Sequence, residues 1–226
     1  MSTPARIDHL VVLADSLESG VAWCEATLGV VPGPGGKHPL MGTHNRLLRI
    51  ATPQQPRAYL EIIAIDPATT PQRARRWFDM DHAQVREAVR TGGPRLAHVV
   101  AEVPDVEAAV AALRGQGIER GDAIAASRET PRGLLQWRIT VRDDGQRLFN
   151  GCLPTLIQWG DVHPAAGMEA SGLALQSLSV AHPDSAALRA ACQAIGLDVV
   201  VTEGPPCLRA VLDTPRGRVT LESEGL

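Results

Sequence analysis

Aromatic side chains are scarce in this chain, at 3% of 226 residues, while alanine, arginine, glycine and proline are plentiful. That bias matches high-GC coding and says little about function. No run of about eighteen apolar residues occurs, so no membrane-spanning helix is expected. The opening "MSTPARIDH" has no signal-peptide core, and a cytoplasmic location is expected. There is no CxxC pair. Cys24, Cys152, Cys192 and Cys207 are scattered and read as reduced thiols filling small gaps, not as a disulfide framework. Basic charge is not in excess: the formal net charge is −3, which argues against a nucleic-acid partner. Gly-x-Ser-x-Gly is absent, and no Cys–His pair is placed together by local sequence, so nucleophilic catalysis has no support. No Walker or dinucleotide glycine pattern is present either.

What is present is a repeat. With 44% hydrophobic residues, the chain can build one large domain or two small ones around a real core. Three segments read alike: "IDHLVVLADSLESGVAWCEATLGV", "LAHVVAEVPDVEAAVAALRGQGI" from Leu96, and "LQSLSVAHPDSAALRAACQAIGL" from Leu175. Each is a β-rich run, a turn with Asp, an amphipathic helix and a glycine. Asp105 and Asp184 stand where an N-cap is wanted, as do Asp15 or Ser16 in the first copy. Gly29, Gly117 and Gly196 fall where a helix ends. Further β-rich runs separated by Gly, Pro and Asp follow each helix. The expected fold is therefore α+β: repeated βαβββ units forming curled mixed sheets, two full units plus a shorter third. The expected boundaries are 1–65 for the first unit, 66–95 for a helical insertion, 96–165 for the second unit, and 172–226 for a third unit packed on the pair. Helices are expected in the insertion near Pro71–Met80 and Asp81–Arg90, with "RARRW" as a solvated helix face.

Aligning the repeats sets His9 against His98, with Ser177 in the third copy. On the last strands, Glu61 stands against the stretch around Gln158 and against Glu222. Two such units side by side enclose a half-barrel cavity, and alternate strand positions share a face. If those faces line the cavity, two imidazoles and a carboxylate converge. Such a set suits Fe, Mn, Ni, Co or Zn as the divalent ion. The third copy lacks the histidine and reads as a packing or lid module.

The "DHLVV" opening, the "LEIIA" strand and the "AHVV" second opening resemble the vicinal-oxygen-chelate superfamily. That superfamily includes glyoxalase I, extradiol dioxygenases, methylmalonyl-CoA epimerase and fosfomycin- and bleomycin-resistance proteins. The stretches "GVVPGPGGKHPLMGTHNRLLRI" and "LPTLIQWGDVHP" resemble its glyoxalase-like domain group, and the likeness runs over nearly the whole chain. The resemblance implies metal ligands at His9, Glu61 and His98, with Glu61 also able to shuttle a proton. Where the superfamily commonly has a fourth ligand, a glutamate, this chain has Gln158, a ligand, a substrate contact or an outward-facing residue. The register there can present Ile157 instead. The glycine-rich loop is implied to border the pocket. Lys37 and His38 then meet an anionic substrate, and His44 and Asn45 donate hydrogen bonds. Trp137 and Trp159 read either as pocket wall or as packing; Trp137 is the substrate-contact candidate. His82, His163 and His182 lie in turn-rich contexts and receive no role.

The expected function is a metal-dependent enzyme on a small oxygen-rich substrate, of isomerase, lyase or dioxygenase type. The alternative is a metal-free protein that binds or sequesters a small molecule. The superfamily often builds sites across homodimers, but two units in one chain allow a single polypeptide to form the pocket.

Overall fold

Two strand–helix–three-strand units meet along their first strands. The computed structural model describes residues 4–130, 133–224 and 226. The expected unit boundaries also run over residues 1–3, 131–132 and 225, which lie outside the described residues. The first unit comprises β1 (Arg6–Leu13), α1 (Leu17–Leu28), β2 (Lys37–His38), β3 (Thr43–Arg49) and β4 (Tyr59–Ile65). After α2 (Ala83–Gly92), the second comprises β5 (Arg95–Glu102), α3 (Val106–Arg114), β6 (Asp122–Thr130), β7 (Gly133–Val141) and β8 (Thr155–Trp159). Strand order in the joint sheet is β2-β3-β4-β1-β5-β8-β7-β6, so the second unit repeats the wiring of the first. β1 pairs parallel with β4 and antiparallel with β5, and β5 pairs parallel with β8.

The helices start and stop where local chemistry directs. Ser16 caps α1 and exchanges hydrogen bonds with Ser19 in a capping box. The Asp105 carboxylate accepts from the backbone N–H groups of Glu107 and Ala108 at the start of α3. Gly29, Gly117 and Gly196 adopt φ of 76°, 74° and 73°, a conformation that side chains with a Cβ disfavour. α1 packs on β3 and β4, and α3 on β6, β7 and β8. Leu10, Val12, Leu60, Ile62, Val99 and Leu156 face these helices in the larger apolar core. Val11, Ile63, Val100, Ile139 and Ile157 point to the other, concave face. Strand alternation thus sorts the sheet into a helix-covered face and a cavity face.

Two features depart from the expected pattern. The third unit has the expected element order: β9 (Ala174–Ala181), α4 (Ser185–Ala194), β10 (Val200–Thr202), β11 (Cys207–Thr214) and β12 (Gly217–Glu222). Its strand order is β10-β9-β11-β12, with β9 interior, so it forms a separate sheet wired differently from the other two. One face of that sheet, through Leu178, Val180, Leu208 and Leu212, joins the larger core. The insertion forms α2 but no helix over Pro71–Met80, which is turn and bend. Tertiary contacts outcompete helix propensity there. The Asp81 carboxylate accepts from the Arg76 backbone N–H at 2.7 Å, and Arg147 Nε donates to Asp79 Oδ2 at 2.8 Å. Phe78 and Asp79 hold φ of 59° and 58°, a strained pair that turns Trp77 and Phe78 inward. "RARRW" is thus not a solvated helix face; its tryptophan is buried.

Candidate active site

The concave face holds an inner cavity of about 40 Å³ that shares Leu47, Arg128, Leu135 and Pro164 with an outer cleft of about 670 Å³. Strands of both units and the insertion contribute its lining. β1 supplies His9, β3 Asn45, β4 Tyr59 and Glu61, and β6 Arg128; Trp77 and Phe78 come from the insertion.

His9 lies between two carboxylates. Its Nδ1 meets Asp8 Oδ1 at 2.6 Å and its Nε2 faces Glu61 Oε2 at 3.5 Å. Burial alone favours a neutral ring, but the bonds to Asp8 and Glu61 prevail and raise the His9 pKa to about 9. His9 is thus a cation at neutral pH, with both nitrogens protonated. Burial pushes the Glu61 carboxyl upward, yet contact with His9 and the hydrogen bond from Asn45 hold it below its ordinary value. Asn45 Nδ2 donates to Glu61 Oε1 at 2.5 Å, while Asn45 Oδ1 accepts from the Gly36 N–H at 2.7 Å. Tyr59 stacks on the His9 ring, with centroids 4.6 Å apart.

Asp8 sits under His9 because of a bulge. The pairing of β1 with β5 skips from Ile7/Ala101 to His9/Val100, which leaves Asp8 as the extra residue. Its fully buried carboxylate also accepts from Trp159 Nε1 at 2.8 Å and His163 Nε2 at 2.9 Å. Burial opposes its charge, but His163 and His9 more than compensate and keep it well below the carboxylate range. His163 Nδ1 accepts from the Ala165 N–H, so its proton resides on Nε2, facing Asp8.

Of the residues anticipated from sequence, His9, Glu61, His38, Asn45 and Trp137 meet in the inner cavity. His38 lies edge-on to Trp77, and burial lowers its pKa to about 4, so it is neutral. Trp137 packs against Trp159 with centroids 5.5 Å apart, and both line the wall.

Four of the anticipated residues do not join them. His98 is opposite Val11, on the cavity face, but both ring nitrogens are engaged elsewhere. Nδ1 donates to the Gly151 carbonyl at 2.9 Å, and Nε2 accepts from the Thr155 N–H at 3.2 Å. Burial, reinforced by Arg120 and Arg147, holds His98 well below its ordinary pKa and therefore neutral. Gln158 faces the helix side, where Oε1 accepts from the Val106 N–H at 3.0 Å. Ile157 and Trp159 take the cavity face of β8 instead, the one-residue alternation of a strand. His44 likewise points away from the inner cavity, into a groove beside Asp15 and Glu18 at the start of α1. Lys37 is tied to Asp66 at 2.8 Å, outside the cavity lining.

The two-histidine, one-carboxylate set implied for a divalent ion is thus not assembled. His98 is committed to the Gly151 carbonyl and to Thr155, while His9 is bonded to Asp8 and faces Glu61. Among the described residues, one group of three potential donors has ligand atoms within 4.8 Å of one another: Asp8, Glu102 and His163. Asp8 and His163 are bonded to each other there, and Glu102 is paired with Arg57. Among the described residues, the donors implied for the superfamily's usual ion are therefore not brought together.

Sequence reading missed Asp8, His163, Arg128, Trp77 and Phe78. Only Asp8 had a local signal, its place directly before His9, and strand alternation assigns it to the wrong face. The others arrive through tertiary contacts.

The model of a family described as "Glyoxalase-like domain" matches residues 7–196. No curated protein matches the chain. A hypothetical protein from Staphylococcus aureus has a similar structure, with TM-score 0.60 and 15% identity, covering 96% of this chain and 85% of that one. That likeness is one of fold. A Streptomyces coelicolor methylmalonyl-CoA epimerase in complex with 2-nitronate-propionyl-CoA has TM-score 0.42 and 18% identity, covering 71% and 99% of the two chains. The methylmalonyl-CoA epimerase from Mycobacterium tuberculosis has TM-score 0.39 and 16% identity, covering 74% and 93%. No helix among the described residues is long and apolar enough to cross a membrane.

Proposed function

The chain belongs to the glyoxalase-like domain family of the vicinal-oxygen-chelate superfamily, and within it we propose an isomerase-type enzyme that moves a proton beside a carbonyl of a small, oxygen-rich substrate. The observation that carries this reading is the Glu61 carboxylate. It is buried on the cavity wall, kept ionised by His9 and oriented by Asn45. Glu61 acts as the base. Asn45 occupies Oε1, and Oε2, with its longer 3.5 Å contact to His9, retains a lone pair for a substrate proton. As Glu61 takes the proton, electrons move onto the carbonyl oxygen and an enolate forms. Returning the proton at the same or a neighbouring carbon completes the isomerisation. His9 is a positioning residue: Asp8 fixes its ring and charge, and its Nε2–H keeps Glu61 ionised before the substrate arrives.

A second reading, a metal-free binder of small molecules, is favoured by the tryptophan wall of Trp77, Trp137 and Trp159. One experiment separates the two. The protein is incubated in D₂O with a panel of 2-oxo acids and α-hydroxy ketones, and deuterium at the carbon beside the carbonyl is followed by proton NMR. The proposal expects enzyme-dependent exchange with at least one compound, reduced by a factor of about 10² or more in Glu61→Gln. Saturable binding without exchange across the panel favours the binder, and exchange unchanged in Glu61→Gln rejects Glu61 as the base.

A further inference from the structure

Two buried donors in the inner cavity have nothing to bind. Trp77 is 9% exposed, yet its indole Nε1–H has no hydrogen-bond partner among the described residues. The terminal Nη1 of Arg128 is likewise buried and unpartnered, and Arg128 makes no ion pair among the described residues. Both residues line the same cavity as Glu61. Leaving such groups unsatisfied is costly, and a native protein does so where a ligand completes them. Neither donor takes an acceptor already in the cavity: Glu61 Oε1 accepts from Asn45, Asn45 Oδ1 accepts from Gly36, and Glu61 Oε2 faces His9. What these two donors lack is an acceptor of their own, and a guanidinium that no carboxylate pairs calls for a negatively charged one.

The surroundings hold both donors in place. The Trp77 indole is clamped between Phe78, stacked at 5.1 Å, and the His38 ring, edge-on at 5.1 Å. Arg128 lies against Gly36, where a Cβ would come within 1.7 Å of Nη1, so the glycine-rich loop leaves the guanidinium its room. The inner cavity, about 40 Å³, holds about three water-sized atoms. A planar carboxylate, with three heavy atoms, fits this room more readily than a tetrahedral phosphate, with five. The larger cleft that shares Arg128 has space for the rest of the molecule.

We infer that Arg128 Nη1 and Trp77 Nε1 form a two-donor subsite for a carboxylate, so that the substrate is a small carboxylic acid anchored by its carboxylate with its remainder in the outer cleft. The link to the reacting carbon rests on the reading of Glu61 as base; the subsite itself does not. The test is therefore one of binding. The full chain, labelled with ¹⁵N, is titrated with pyruvate, with its neutral methyl ester and with inorganic phosphate. The readout is the four tryptophan indole N–H signals, with Trp77→Phe identifying the relevant one. Pyruvate is expected to move the Trp77 signal saturably, while methyl pyruvate leaves it in place and phosphate binds more weakly than pyruvate. Arg128→Gln should weaken pyruvate binding by a factor of about 10 to 100. If that variant does not fold, Arg128→Lys, which keeps the charge without the fork, should also weaken it. Glu61→Gln should still bind, which distinguishes a failed base from a failed subsite. An unmoved Trp77 signal, equal binding of the ester or tighter binding of phosphate would overturn the inference.

Discussion

Asp8→Asn puts the charge arrangement under His9 to a quantitative test. The carboxylate accepts from His9 at 2.6 Å, Trp159 at 2.8 Å and His163 at 2.9 Å. An asparagine has one oxygen and one NH₂ group. If its oxygen keeps Trp159 and His163, its NH₂ faces His9 Nδ1 and forces that nitrogen to become an acceptor. His9 must then give up a proton. The gap between about 9 and the ordinary 6.5 corresponds to about 3 kcal/mol in favour of the cation. Asp8 supplies the larger share and Glu61 the rest, so the substitution should cost about 2 kcal/mol near pH 6. The sign follows from linkage. A His9 pKa raised on folding stabilises fully below 6.5, and that contribution is lost as pH climbs through about 9. An Asp8 pKa lowered on folding stabilises above 3.8 and fades as pH falls through its folded value. The gap between wild type and Asp8→Asn should therefore be widest between about pH 4 and 6.5 and narrow on the alkaline side. Urea denaturation at a series of pH values measures it. A gap below about 0.5 kcal/mol at pH 6, or one constant up to pH 10, would refute the ion-pair reasoning.

His98→Ala should destabilise the fold by about 3 kcal/mol in urea, because it opens a cavity and leaves the buried Gly151 carbonyl and Thr155 N–H without their partner; a loss under about 1 kcal/mol argues against a structural role. Gln158→Ala should cost about 1 kcal/mol by thermal denaturation, the value of a lost cap on α3, and leave deuterium exchange unaltered; loss of exchange places the side chain in the site. Gly36→Ala should leave the fold stable to within about 1 kcal/mol while weakening pyruvate binding about tenfold, since its Cβ displaces the Arg128 guanidinium. Unchanged affinity would show that Arg128 binds from another position.

Much of the architecture was legible because it is locally encoded. The β-rich runs, the caps Ser16, Asp105 and Asp184, and the glycines after each helix recur in three copies, and the first two copies share their wiring. Period-two alternation also placed His9 and Glu61 on one wall. The failures are equally specific. A single bulged residue in β1 carries Asp8 beneath His9, and no alternation rule foresees a bulge. The register at Gln158, left open from sequence, resolves with Gln158 on the helix side and Ile157 and Trp159 on the inner face. His98 is on the expected face, but Gly151 and Thr155, more than fifty positions along the chain, capture its ring. Trp77 and Phe78 enter through a left-handed turn that helix propensity could not anticipate. Order of elements alone could not show that β9 lies inside its own sheet.

The charge and tautomer of the histidines test the account most directly. Long-range ¹H–¹⁵N spectra of the full chain at pH 7 distinguish imidazolium from either neutral form. The geometry predicts His9 as a cation, paired with Asp8 and Glu61, and His98 as a neutral ring protonated on Nδ1. Adding equimolar Zn(II) or Mn(II) should leave the His98 signals unmoved. A neutral His9 at pH 7, or a metal ion that shifts His9 and His98 together, would contradict the proton-transfer site and restore the metal centre.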